Sequence, residues 1–192
     1  MLIGLLAALA GCRRQTLVAL PSKDARVVAD FAARTLEHQV SIEAHLHAWR
    51  GEPRGLEDRA TTVLVRLENH GNVPIQVSRS AFELVSGTAR WATVAPEQVA
   101  EQPAPLVAEQ LPESTLDPGE SAYGFLYFPN IAGSWGFMHL RTLLFDTSHA
   151  LLGSIDLPFG TGRIEHCSLA HVDEREPETG SNALFHTCLV PF

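Results

Sequence analysis

The 192-residue chain has a single lysine, Lys23, against thirteen arginines, and only three cysteines. One apolar run stands out, residues 2–10, built from Leu, Ile, Gly and Ala alone. A membrane-spanning helix needs about 20 apolar residues, and this run is half that, which excludes an isolated transmembrane helix there. Positive charge is equally scarce. The formal net charge is −8, and no basic cluster follows Arg13-Arg14, which excludes the phosphate-neutralising surface that nucleic-acid binding requires. Phosphate loops, dinucleotide fingerprints and the Gly-x-Ser-x-Gly elbow are missing. The Gly133-Ser134 and Gly136 of "AGSWGF" have the wrong spacing for that elbow. Neither Cys-x-x-Cys nor His-Glu-x-x-His occurs, and no pair of carboxylates or histidines has a spacing that implies acid–base work. No catalytic residue and no cofactor site is therefore assigned.

The short apolar run has no polar face, unlike a core helix, and it closes in the small residues Ala10 and Gly11. That is the pattern of a secretory signal peptide. Its exit, Leu9-Ala10-Gly11-Cys12, resembles the lipobox of bacterial lipoproteins, although no Lys or Arg precedes the run. The resemblance covers residues 1–12. It implies cleavage before Cys12 and acylation of that residue, so that residues 1–11 are signal and Cys12 leads the mature chain. Two or more acyl chains anchor stably, because each buried methylene contributes about 0.8 kcal/mol. Arg13 and Arg14 would lie at the headgroups. Residue 13 is not the Asp that retains enteric lipoproteins at the inner membrane. The resemblance thus implies an outer-membrane anchor facing the periplasm.

Residues 12–23 read as a tether. Residues 24–37 fit either a helix or a strand, since Val27, Val28, Phe31, Ala32 and Leu36 lie near helical spacing but include β-branched and aromatic side chains. From residue 39 the period becomes two. In "VSIEAHLHAW", Val40, Ile42, Ala44, Leu46 and Ala48 share one face, and Ser41, Glu43, His45, His47 and Trp49 the other, which predicts a half-buried antiparallel strand with a solvated outer face. Val63, Val65 and Leu67 repeat the pattern, "HGN" supplies a turn, and Ile75, Val77, Phe82 and Leu84 continue it. Residues 95–121, with five prolines and two copies of "VAEQ", read as a long surface loop containing a helical turn. Pro118-Gly119 then turns the chain into a strand, 121–128, that is apolar on both faces. "FMHLRTLLF" and "LLGSIDLPF" form a hairpin about Asp146-Thr147-Ser148-His149.

Several short strands separated by turns predict an all-β antiparallel sandwich. The segments "VLVRLENHGNVPIQV", "FELVSG", "LDPGESAYGFLYF" and "GSIDLPF" resemble the immunoglobulin-like, telokin-like DUF4352-type domains of bacterial lipoproteins over residues 60–159. That family has no defined catalytic residues to transfer. The expected organisation is a signal helix at 1–11, a tether at 12–23, an immunoglobulin-like sandwich at 24–159 and a C-terminal hairpin or tail at 160–192.

The tail holds His166, Cys167, His171, His186 and Cys188. Folded about residue 177, it brings residue 167 opposite residue 187. In a compartment that permits disulfides, Cys167 and Cys188 are expected to pair, closing a loop worth roughly 3 kcal/mol. The same cluster could instead hold copper or zinc. His45 and His47 could form a metal clip or a binding surface, but a solvated strand face explains them more simply. The expected protein is a lipid-anchored cell-envelope lipoprotein, a non-catalytic binding or assembly module. Its partners are the membrane, through the anchor, and other envelope proteins, with no nucleic acid. The alternative is a periplasmic metal-handling lipoprotein that uses the tail.

Overall fold

The strict alternation of "ATTVLVRLEN" sends Val63, Val65 and Leu67 to one side of a ten-residue strand, where all three are buried. The computed structural model describes residues 16–19, 25–29, 32–46, 48–131, 136–166 and 187–190. Thirteen strands are formed among them: β1 (Thr16–Ala19), β2 (Ala25–Ala29), β3 (Ala32–Glu37), β4 (Val40–Leu46), β5 (Ala60–Asn69), β6 (Ile75–Val77), β7 (Phe82–Ser86), β8 (Ala89–Ala92), β9 (Ser114–Leu116), β10 (Ser121–Pro129), β11 (Phe137–Asp146), β12 (Leu151–His166) and β13 (Thr187–Val190). Two short helices, α1 (Pro96–Val99) and α2 (Ala104–Glu109), lie between β8 and β9.

The strands form an all-β sandwich of two antiparallel sheets. One has five strands in the order β10-β5-β4-β3-β2. The other has eight, with β1-β12-β11-β6-β9 as its main path, β7 and β8 continuing from β11, and β13 from β12. The inward positions of β4, β5 and β10 meet Leu84, Met138, Leu140, Leu144, Ile155, Leu157 and Phe159 in one core. The ambiguous segment 24–37 supplies strands β2 and β3. Ladder pairing with β4 decides the matter there, since Ala33, Thr35 and Ala44 are buried on the paired strands. Part of the expected tether is also strand: Thr16–Ala19 pairs with Phe159–Gly162. The β11–β12 hairpin forms as expected. Asp146 Oδ1 accepts hydrogen bonds from the backbone N–H groups of Ser148 (2.8 Å) and Ala150 (2.9 Å) and from the Ser148 hydroxyl (2.6 Å). The Ser148 hydroxyl bond, then the Ala150 amide, hold its carboxyl below the usual aspartate range.

Two expectations are corrected. Residues 95–111 are a packed cover and residues 114–116 a sheet strand, not one long surface loop. Leu106 and Leu111 are fully buried, and Val99 and Ala100 nearly so. Val99, Ala100 and Leu106 form a second core with Trp49, Leu56, Ala60 and Tyr127 on the outer side of β10. The two "VAEQ" copies are not equivalent, because Val99 is buried while Val107 is exposed. Trp49, expected on the solvated face of β4, lies beyond that strand in the second core, and its Nε1–H donates to the Pro53 carbonyl at 3.2 Å. A large ring with one polar atom is stable there because both requirements are met.

The cover also closes the edge of β10. The N–H of Val94 donates to the Tyr127 carbonyl (2.8 Å), and the N–H of Leu111 to the Phe125 carbonyl (2.9 Å). An edge satisfied in this way cannot template another chain. Gly124 makes the approach possible, since a Cβ there would lie 2.5 Å from the Leu111 backbone.

At the opposite end, Asn69 is 1% exposed and fully bonded. Its Nδ2 donates to the carbonyls of Val73 (2.9 Å) and Leu116 (3.0 Å), and its Oδ1 accepts from the Gly71 N–H (2.9 Å). Its backbone N–H donates to Glu120 O (2.9 Å), and its carbonyl accepts from Gly119 N–H (2.7 Å). Replacing Asn69 with Ala leaves the buried Leu116 carbonyl without its donor and removes the bonds to the Val73 carbonyl and the Gly71 N–H. The loss expected in denaturant unfolding is about 3 kcal/mol. Gly124→Ala should cost about 1–3 kcal/mol in the same assay, because backbone rather than a mobile side chain must move.

Candidate functional site

The outer face of the five-stranded sheet is where side chains of different chemistry converge. Ladder register fixes which ones. One row reads Tyr123, Arg66, Glu43, Arg34 and Arg26 across β10, β5, β4, β3 and β2. The row towards Asn69 reads Ser121, Glu68, Ser41 and Leu36. The row on the other side reads Phe125, Leu64, His45 and Ala32. Cross-strand neighbours on one face stand about 4.5–5.5 Å apart, near enough for opposite charges to pair.

They do pair. The Arg34 Nε–H donates to Ser41 Oγ at 3.0 Å, and its guanidinium reaches Glu68 (3.2 Å) and Glu43 (3.9 Å). Arg66 lies 2.7 Å from the other Glu68 oxygen. His45 Nε2 is 2.5 Å from Glu43, and His70 Nε2 is 3.4 Å from Glu68. Exposed pairs of this kind each contribute at most about 1 kcal/mol. What the network supplies is fixed geometry, since Arg34, Glu43 and Glu68 are each held by two or more partners.

Beside this network lies an open groove of about 490 Å³ lined by Glu43, His45, Leu64, Arg66, Ser121 and Tyr123. Leu64 gives it an apolar floor. Tyr123 forms one wall and is 73% exposed. The rings along β10 show a gradient: Tyr127 is fully buried, Phe125 half-buried and Tyr123 open. Phe125 packs edge-on against Trp49, with centroids 5.0 Å apart, and lies nearly parallel to Tyr127 at 6.4 Å. The Tyr127 hydroxyl donates to the Leu106 carbonyl at 3.0 Å. Burial, and then the negative charge of Glu109, push that hydroxyl well above its ordinary value. The second core thus fixes the end of the aromatic row that Tyr123 continues into solvent. Strand 121–128 was expected to be covered on both faces, and this holds at its Tyr127 end only.

The sequence-derived residues fall as follows. His45 lines the groove, half-buried and bonded to Glu43. His47 lies outside the described residues, as do Cys12, Cys167, His171 and His186. Cys188 is in β13 opposite Glu165, and His166 is opposite Thr187. This antiparallel pairing is that of the expected C-terminal hairpin, one register step from a fold about residue 177. Among the described residues no group of three or more His, Cys, Asp or Glu is placed to hold a metal ion. Among them, too, no helix is long and apolar enough to cross a membrane. Sequence reading missed Arg34, Arg66, Glu68 and Tyr123. The available signal was the alternation of Tyr123, Phe125 and Tyr127 on the strand next to the one that bears Arg66.

No family model matches the chain, and no curated protein matches it. Among solved structures, the "putative lipoprotein (ycdA)" of Bacillus subtilis is similar at 17% identity and a TM-score of 0.46, over 67% of this chain. The chain spans only 38% of that protein's length. A functionally unknown protein from Listeria monocytogenes is similar at 11% identity and a TM-score of 0.36, over 77% of this chain and 89% of that one.

The buried hydroxyl of Tyr127 gives a pH prediction. A phenol whose folded value is raised contributes stability in full below the unfolded value of about 10, and that contribution fades as pH climbs past it. Denaturation midpoints should therefore fall on the alkaline side. Tyr127→Phe should flatten that limb and cost about 1 kcal/mol at neutral pH, where the Leu106 carbonyl loses its donor.

Proposed function

We propose that the chain is a lipid-anchored lipoprotein of the bacterial cell envelope and acts there as a non-catalytic binding or assembly module. The observation that carries this reading is the Leu9-Ala10-Gly11-Cys12 motif set just ahead of a strand that belongs to the domain, β1 at Thr16. Four residue steps of extended chain reach at most about 14 Å. An acylated Cys12 therefore keeps the sandwich against the bilayer surface rather than on a long leash. In this reading the anchor lies in the inner, periplasm-facing leaflet of an outer membrane, in keeping with Arg at position 13.

The binding assignment is supported by the groove. It is open and shallow, and its ionisable groups are committed to one another. The Ser41 hydroxyl beside the network is bonded to the Arg34 guanidinium and not to an imidazole, so it is not an activated nucleophile. A surface of this kind recognises a partner. The expected Cys167–Cys188 disulfide would close the segment that leaves β12, tying the tail to the strand that also pairs with β1.

The test is the intact mass of the protein extracted from its native membranes. The expected species starts at Cys12, carries acyl mass and lacks two thiol hydrogens. Cys12→Ser should leave residues 1–11 attached and remove the acyl mass. A native chain that keeps residues 1–11, or carries no acyl group, would overturn the anchor. Free thiols with added metal mass would overturn the disulfide and return the tail to metal handling.

A further inference from the structure

Tyr123 is unexplained by folding. Its ring is 73% exposed on a sheet face, and among the described residues its hydroxyl has no hydrogen-bond partner. Exposing a large aromatic gives nothing to the core, and at the wall of a groove its apolar face and polar tip suit recognition.

The groove next to it constrains what could be recognised. Its volume of about 490 Å³ lies in the range of small-ligand sites. Its charges cancel locally. Glu43 is held by His45 and approached by Arg34, while Arg66 is held by Glu68. An anionic ligand would have to displace Glu68 from Arg66, and a cationic one would have to displace His45 and Arg34 from Glu43. A neutral ligand displaces neither. It can use the donors and acceptors that remain on the rims of these ion pairs, together with the Ser121 hydroxyl. The lining is apolar at Leu64 and Tyr123 and polar elsewhere, so the ligand must also present an apolar face and a polar edge side by side.

From this charge balance and lining we infer that the groove binds a neutral glycan chain. A pyranose ring has the required dual character: axial C–H groups form an apolar face, and equatorial hydroxyls form a polar edge. One sugar ring lies on the exposed face of Tyr123, and its hydroxyls reach Glu43, His45, Arg66 and Ser121. The groove is open to solvent, so its occupant need not be a chain end. The network gives pre-organisation at Glu43, which His45 and Arg34 already hold in place to meet the hydroxyls. This inference rests on the reading of the protein as a non-catalytic binding module and adds the class of its ligand.

Affinity electrophoresis of the detergent-solubilised native protein tests it, in gels carrying neutral N-acetylglucosamine or glucose polymers, with polygalacturonate as the anionic comparison. Retardation is expected in a neutral polymer and not in the anionic one. Tyr123→Ala should weaken it about tenfold, the loss of roughly 1.4 kcal/mol, while Tyr123→Phe keeps most of it, since the ring face does the stacking. Leu151→Ala, on the other sheet, should change nothing. Circular dichroism verifies that each variant is folded. Lack of retardation in any neutral polymer, or retardation indifferent to Tyr123→Ala in a folded protein, overturns the glycan. A photo-reactive side chain at position 123 then separates the two readings. Cross-linking to one envelope polypeptide would keep the binding module with a protein ligand. No adduct of any kind, together with no glycan binding, would remove both.

Discussion

The two sheets are joined through one buried amide. Asn69 ends β5, in the five-stranded sheet, yet its side chain bonds the carbonyl of Leu116 in β9 and that of Val73 ahead of β6, both in the eight-stranded sheet. Its backbone takes up the turn that leads into β10. An unpaired amide at this depth would cost several kilocalories per mole, so satisfaction of all three side-chain bonds is a condition of the fold. The conformation of the "HGN" and "LDPGE" turns follows from it. So does the register of β10 on β5, because Glu120 is fixed one residue before Ser121 meets Glu68. The row that aligns Tyr123 with Arg66 and Glu43 is a downstream result of where Asn69 is seated.

From that seat the five-stranded sheet is treated differently along its length. Near Trp49 and Tyr127 its outer face is roofed by residues 94–111, and the Trp49 indole N–H and the Tyr127 hydroxyl are both bonded beneath it. Beyond Phe125 the roof stops and the face becomes an ion-pair lattice. The boundary runs along β10, where three aromatic residues two positions apart pass from full burial to open solvent. A sheet with both faces apolar throughout would need a second layer over all of it. One with a wholly charged outer face would offer no apolar wall. The half-roofed arrangement leaves one rigid ring standing beside fixed charges.

Much of this architecture was legible in the chain. Period-two alternation located β4, β5, β10, β11 and β12, because one face of each meets the core and the side-chain repeat is then imposed by geometry. The turns were legible for a similar local reason. The roof was not. Its buried residues, Val99, Ala100, Leu106 and Leu111, are few, irregularly spaced and broken by prolines, so no periodicity marks them. Their burial comes from docking on Trp49 and Tyr127, which are distant in sequence. Residues 24–37 were undecidable locally and were settled by pairing with β4. The groove had a single visible member, His45. Arg66 and Tyr123 join it only through cross-strand register, which is a property of the assembled sheet.

Strand β12 has a further consequence. It is sixteen residues long and accepts β1 along Phe159–Gly162 and β13 along Arg163–His166. The segment that enters the sandwich and the one that returns to it are therefore fastened to adjoining lengths of a single strand. A pull transmitted through the residues ahead of Thr16 acts along the axis of β1. Such a load shears the whole β1–β12 ladder at once, whereas a pull across the strand would peel its bonds one after another. Shear is the strong direction of a β-ladder. A domain loaded at this point resists tension along β1 and transmits it directly to its longest strand.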